Sequence, residues 1–298
     1  IIKDRDAEYC AGQFIWTGFD YIGEPTPYST KNSYFGQYDT AGFAKDSAYI
    51  FRAEWTDCKA APFVHIFPYW DFSEGLPTDV RVCSNAPRVE LFFNGGSLGA
   101  FDIDHAHGTK LTADYVIPYQ KGELKALAYD ENGEVIAEDI QRSFGDAAKL
   151  EIIPDKTELA ADGEDLTYLE ISALDENGTF CANANNRVNV AVEGAGRLMG
   201  VDNGDSTDYD QYKGTSRRLF SGKMLAIIGS TGEAGGIKVT LTSPSLPEAV
   251  IELKAVPAER IHGLSAQQSA QPCPTECGRT DEIPVRKIEL SAERLTLD

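Results

Sequence analysis

The chain of 298 residues has no apolar run of the ~18 or more residues needed to cross a bilayer as a helix, so no membrane span is expected. It lacks a phosphate-cradling glycine loop, a Gly-x-Ser-x-Gly nucleophile elbow and any zinc-spaced set of Cys and His. The four histidines, 65, 105, 107 and 262, are too scattered for a metal site, and a surface role is expected for the His105–His107 pair. No metal and no cofactor are therefore expected. Basic residues are scarce, 27 against 47 acidic ones, which leaves a net charge of −20. Such a chain repels phosphate backbones, so nucleic acid is not an expected partner, whereas a neutral glycan is not repelled. Six cysteines are spread over the chain. Cys10, Cys58, Cys83 and Cys181 sit in apolar or strand-like contexts and read as free thiols. Cys273 and Cys277 form the only close pair, either a linker disulfide or two thiols.

What is present is mostly short strands. Val80 and Val82, then Val89, Leu91 and Phe93, alternate with polar residues and predict two half-buried strands. Asn94-Gly95-Gly96 follows as a hairpin turn that needs positive φ. Further strands are predicted over 111–119, 123–129 and 134–140, and together they form a small antiparallel sandwich over 58–145. A second sandwich over 146–256 is predicted from strands at 150–154, 166–174, 188–192, 223–228 and 236–241. Both contain an Ala-x-Asp-Glu-Asn-Gly-x-x-x-Ala frame, at 128–137 and 173–182, which predicts one kind of hairpin used twice. Residues 257–284, rich in Ser, Ala, Gln and Pro, read as a linker. Residues 285–298 read as the opening strand of a further β-domain, because Lys287–Arg294 parallels Lys149–Lys156.

The front of the chain is different. Asp46–Trp55 places apolar residues on one helical face, with Asp46 as N-cap. Phe14–Trp16 reads as a short apolar strand. It runs into a Gly- and Pro-broken loop with an indole, two carboxylates and two tyrosines, Trp16–Tyr28. Aromatic faces beside carboxylates suit a sugar. Residue chemistry alone leaves two readings open, a barrel strand opening into a binding loop or an ordinary strand with a surface loop. One strand and one helix bury no core of their own, so 1–57 is expected to be the last β/α unit of a barrel. The acidic run Asp202–Asp210 has oxygen ligands but not EF-hand spacing, and a solvated loop is expected there, partly neutralised by Arg217 and Arg218. The aromatic group Phe63, Phe67, Tyr69, Trp70 and Phe72 is expected to fill a sandwich core or its seam with the barrel unit.

The run Phe14-Ile-Trp-Thr-Gly-Phe-Asp-Tyr-Ile-Gly-Glu-Pro-Thr-Pro-Tyr28 resembles the last barrel strand of glycoside hydrolase family 2, the β-galactosidase type. Asn32–Asp39 and Gly42–Asp46 continue the resemblance, with Ala44 where that family usually has Pro. Val64–Trp70 and Ser84–Gly95 resemble its small β-domain; Ala161–Leu166, Gly194–Asp205 and Ala226–Ile228 resemble its next, immunoglobulin-like domain. The resemblance implies a mainly β chain, tandem immunoglobulin-like antiparallel β-sandwiches preceded by the last β/α unit of a TIM barrel. It implies a parent enzyme that hydrolyses terminal β-galactosides with retention, using two Glu on earlier barrel strands. Neither of those motifs is in this chain, so no catalytic residue is assigned and the chain alone is expected to be inactive. Trp16 matches the indole that walls the sugar subsite. Asp20 and Glu24 join it as candidate substrate-binding residues, weighted toward support of the loop. A secreted or cell-surface setting and oligomer contacts through the sandwiches complete the expectation. The alternative is a non-catalytic carbohydrate-binding or adhesion module of stacked sandwiches.

Overall fold

The computed structural model describes residues 1–26 and 28–258. The predicted linker beyond 258, the Cys273–Cys277 pair and the strand predicted at 285–298 lie outside the described residues. Residues 1–258 form one compact unit.

Alternating side chains build two sandwiches in succession. In the first, strands β1 (Val64–Phe67), β2 (Pro77–Ser84) and β5 (Ala113–Pro118) form one antiparallel sheet. Strands β3 (Arg88–Phe93), β4 (Gly96–Asp102), β6 (Glu123–Tyr129) and β7 (Val135–Arg142) form the other, in the order β4-β3-β6-β7. Period-two alternation sends Val80 and Val82 of β2, Val89 and Leu91 of β3 and Leu124, Ala126 and Ala128 of β6 into one core. Trp70 is fully buried there, edge-on to Phe72 and Phe93, and its indole N–H donates to the Gln120 carbonyl at 3.0 Å. That hydrogen bond makes complete burial of an indole affordable. Asn94 and Gly95, both at positive φ, make the tight turn between β3 and β4, as their identities require.

The second sandwich pairs a sheet in the order β12-β14-β10-β8 with one in the order β13-β11-β15-β16-β9. The strands are β8 (Lys149–Pro154), β9 (Glu158–Ala160), β10 (Leu166–Leu174), β11 (Arg187–Gly194), β12 (Gly196–Asp202), β13 (Ser216–Arg218), β14 (Lys223–Ser230), β15 (Gly235–Ser243) and β16 (Leu246–Val256). All pairings are antiparallel except β9 with β16. Leu169 and Ile171 face Met224, Ala226 and Ile228 and pack on Val239 and Leu241 across the sandwich. The mainly β class and the antiparallel sheets are as the sequence predicts. Cys10, Cys58, Cys83 and Cys181 are free thiols, and burial pushes the Cys83 thiol up to about 12.

Three expectations change. The two Asp-Glu-Asn-Gly frames share a turn but not a hairpin. Asp130 and Asp175 each accept backbone N–H bonds from residues two and four further on, and the glycines at 133 and 178 take positive φ. After 133 the β-branched pair Val135-Ile136 starts β7 beside β6. After 178 the run Cys-Ala-Asn-Ala-Asn-Asn carries little strand propensity, and only the Leu174–Phe180 bridge forms before the chain crosses to the other sheet. Phe14–Trp16 is not a strand. No described strand lies beside it, and Phe14 is fully exposed. Helix α2 (Asp46–Trp55), which follows the five-residue helix α1 (Ile2–Asp6), begins one residue earlier than predicted: Lys45 is the N-cap and Asp46 the first helical residue. Asp46 then favours the helix through its charge near the positive end of the dipole.

Helix α2 is fastened to the first sandwich. Ala53 packs on Phe63 and Cys83, and the Arg52 guanidinium lies over the Phe63 ring. His105, half-buried rather than a surface residue, bridges Glu54 at 2.9 Å and the Ala86 carbonyl at 3.2 Å. His65 stacks on Tyr49 with ring centroids 3.7 Å apart and sits 3.5 Å from both Asp46 and Asp139. Of the aromatic group, Trp70 lies in the sandwich core with Phe72 packed against it, Phe63 and Phe67 line the seam with α2, and Tyr69, partly exposed, stacks on Phe72.

Candidate functional site

The loop after Trp16 folds back on residues 32–38. Phe19 bridges Tyr38 and Ile22 bridges Asn32. Ser33 donates its N–H to the Tyr21 carbonyl and receives the Tyr21 N–H on its hydroxyl, at 3.1 and 3.0 Å. Asp20 is the keystone. It is buried, and its carboxylate accepts the Gly36 N–H at 2.7 Å and both bonds of a clasp from the Lys45 ammonium at 2.8 and 2.7 Å. Lys45 also donates to the Tyr34 carbonyl. Gly36 must be glycine, because a Cβ there would collide with the Asp20 backbone. A buried carboxylate so fully bonded braces the loop and leaves little acceptor capacity for a ligand.

Trp16 and Glu24 lie on the open side. The Trp16 indole is 78% exposed and donates to the Tyr21 hydroxyl at 3.3 Å, which in turn donates to Glu24 at 2.8 Å. The peptide bond after Trp16 is cis. The structure thus brings Trp16 and Glu24 together through Tyr21 and sends Asp20 to the inner side of the loop. An indole face held by a polar relay can stack on the C–H face of a sugar while its neighbours bond hydroxyls. The two carboxyl groups are not a catalytic pair, since Asp20 is committed to Lys45.

Sequence reasoning missed the second anchor. Asp202–Asp210 is not a solvated loop. It wraps around Arg217, which is completely buried. The guanidinium lies 3.3 Å from Asp208 and 3.8 Å from Asp202, donates to the Asp210 carbonyl at 3.2 Å, and stacks over Tyr212. The outer face of this knot holds the front loop. Lys31 donates its N–H to the Ser206 carbonyl at 2.7 Å and places its ammonium 4.0 Å from the Tyr212 ring centroid. Asn32 donates to the Tyr212 hydroxyl at 2.9 Å. Asp39 meets the knot at Gly204, where a side chain would strike its carboxylate. Burial, with Asp202 and Asp20 nearby, raises the Asp39 carboxyl to about 6 against bonds from the Phe43 and Ala41 N–H groups. The available signal was the spacing of Arg217 from a run of aspartates, but nothing in sequence ties either to Lys31. Among the described residues no group of three or more Cys, His, Asp and Glu is placed to hold a metal ion.

With the loop in view, comparison with known proteins is informative. Residues 150–252 match the glycoside hydrolase family 2 C-terminal domain 5, and residues 75–137 match a domain of unknown function, DUF4982. A β-galactosidase of Bacteroides ovatus is 40% identical over 256 residues, which are 84% of this chain and 29% of that protein. The chain belongs to glycoside hydrolase family 2. A putative β-glucuronidase of Formosa agariphila is 31% identical over 229 residues, 74% of this chain and 22% of the relative. The crystal structure of a β-glycosidase from Bacteroides vulgatus superimposes with a TM-score of 0.77 at 30% identity, covering 82% of this chain and 31% of that one. The chain therefore spans less than a third of the length of these relatives.

Proposed function

We propose that this chain is the accessory region of a retaining family 2 enzyme that hydrolyses terminal β-galactosides. The loop 16–28 walls the sugar site and the two sandwiches hold that loop in place. The carrying observation is the Trp16–Tyr21–Glu24 relay, an exposed indole with a fixed face on a loop braced from behind by Asp20–Lys45. An indole left in water has no packing reason to be ordered, and a sugar ring gives it one. The identity with the Bacteroides ovatus β-galactosidase supports galactose as the sugar. The catalytic acid and nucleophile belong to barrel strands that this chain does not contain.

Two assays test the proposal. The purified chain is expected to leave a chromogenic β-galactoside unhydrolysed, and turnover above a buffer blank overturns the assignment of catalysis elsewhere. A longer protein that carries this chain behind a family 2 barrel is expected to hydrolyse β-galactosides in preference to β-glucuronides. There Trp16→Ala should lower kcat/KM by about five- to thirtyfold, as loss of roughly 1–2 kcal/mol of stacking in the transition state requires.

A further inference from the structure

Beside the loop, and lined by none of Trp16, Tyr21 and Glu24, lies an open groove of about 900 Å³. It is bounded by the front loop, the N-terminal turn of α2, the edge of β1 and the outer face of the sheet that holds β10 and β14. Its size falls in the range of ~300–1,000 Å³ typical of small-molecule sites. Four aromatic side chains line it and stay open to solvent, Tyr34 (53%), Tyr38 (39%), Tyr69 (40%) and Phe220 (44%). They come from three parts of the molecule, the front loop, the first sandwich and the second.

Between the rings, the polar groups are already fixed by one another. Lys45 clasps Asp20, Lys223 bonds Glu170 at 2.5 Å with its ammonium near the Phe43 and Phe180 rings, and His65 is held between Asp46 and Asp139. Groups ordered before a ligand arrives lose little entropy when it binds. Rings beside the Tyr34, Tyr38 and Tyr69 hydroxyls match a chain of sugars, whose rings offer apolar C–H faces and hydroxyl edges. The charge narrows the choice. The lining holds four carboxyl groups, Asp20, Asp39, Asp46 and Glu170, against two ammonium groups, Lys45 and Lys223, with His65 besides. A uronate entering this lining meets like charge, and a neutral sugar does not.

We infer that this groove is a second carbohydrate site, which binds a neutral oligosaccharide across the junction of the front loop with the two sandwiches. It rests on the carbohydrate reading of the chain, but not on where hydrolysis occurs. In a longer enzyme it would hold a part of the glycan other than the one at Trp16, which is not among its lining residues.

Binding to the 298-residue chain tests this directly, by calorimetry with a neutral β-1,4-galactan oligosaccharide and an oligogalacturonate. The neutral chain is expected to bind, and the acidic one to bind at least tenfold more weakly. Phe220→Ala and Tyr34→Ala, both at open positions, should each weaken neutral binding about tenfold or more, with Val250→Ala, an exposed position outside the lining, unchanged. Absence of neutral binding at millimolar ligand overturns the inference, as does equal binding of the acidic chain. Loss of binding in Trp16→Ala with retention in Phe220→Ala and Tyr34→Ala also overturns it, because the ligand then sits on the relay loop. None of these results depends on turnover, so the inference can fail while the proposed hydrolase function stands, and the reverse.

Discussion

The second sandwich and the front segment, residues 7–45, are ordered by different physics. In the sandwich the large apolar side chains are inside: Leu159, Leu169, Ile171, Met224, Ile228 and Leu241 are fully buried. In the front segment the order is inverted. Phe14, Trp16, Phe19 and Tyr28 are exposed, and apart from Gly36 and Ala41 the buried residues are the polar Asp20, Thr30, Asn32, Ser33 and Asp39. A region with its hydrophobic residues outside gains no stability from burial. It keeps its shape through hydrogen bonds, several of them to the Arg217 knot. The sandwich specifies itself, while the front loop takes its shape from what it touches.

The strongest test of that contrast acts at their contact. Arg217→Met removes the cation between Asp202 and Asp208 in a dry site, and breaking a buried pair this way costs about 3–5 kcal/mol. The urea midpoint should fall accordingly, and amide exchange at residues 30–33 should accelerate. If exchange there stays slow while global stability drops, the front loop does not depend on the knot. Within the sandwich alone, Leu169→Ala should cost about 3 kcal/mol as a core cavity and leave exchange at 30–33 unchanged at concentrations where the sheets are still folded.

These residues also mark where sequence is readable. The inward positions of β2, β6, β10 and β14 were legible because a strand buried on one face must alternate. Strands β4, β12 and β16 were not. The first two carry glycines and mostly unburied side chains, with a register shift at Leu198–Gly200 in β12, and β16 opens on Leu246-Pro247. The first two lack apolar periodicity and take their conformation from the neighbour they pair with, whereas β16 does alternate at Ile251, Leu253 and Ala255 behind its Leu-Pro opening. At the site, Trp16 and Glu24 could be picked out because both stand on one loop. The bracing of Asp20 by Lys45, and of Lys31 by the 206–212 stretch, could not, since those contacts span 25 residues in one case and over 170 in the other. Local pattern has no access to a tie of that range.

A smaller effect probes the polar side of the contrast. The raised Asp39 carboxyl holds its proton up to about pH 6 in the folded chain and only to about pH 4 when unfolded. The folded state thus binds more protons over that window, and this group's contribution to stability falls as pH rises from about 4 to about 6. Asp39→Asn keeps an oxygen for the Phe43 N–H and removes the titration. The difference between variant and native chain should grow across that window, toward about 1–2 kcal/mol in favour of Asn at pH 7 after allowing for solvent screening. A flat difference across pH 4–7 would mean that the pocket beside Gly204 is wetter than the geometry implies.

The smallest expected effect on stability comes from the residue with the largest expected effect on function. Trp16 makes one hydrogen bond, to Tyr21, and one edge contact at 6.5 Å with the same ring, and is otherwise open. Trp16→Ala should therefore change the unfolding midpoint of the chain by no more than about 0.5 kcal/mol, the range for an open surface position. The same substitution at Trp70, buried to the last atom, should cost about 3–5 kcal/mol. Two indoles in one chain would then separate cleanly, one held for the core and one for a ligand. A large stability loss at Trp16 would place its ring in a structural role, and the sugar-wall reading would lose its main support.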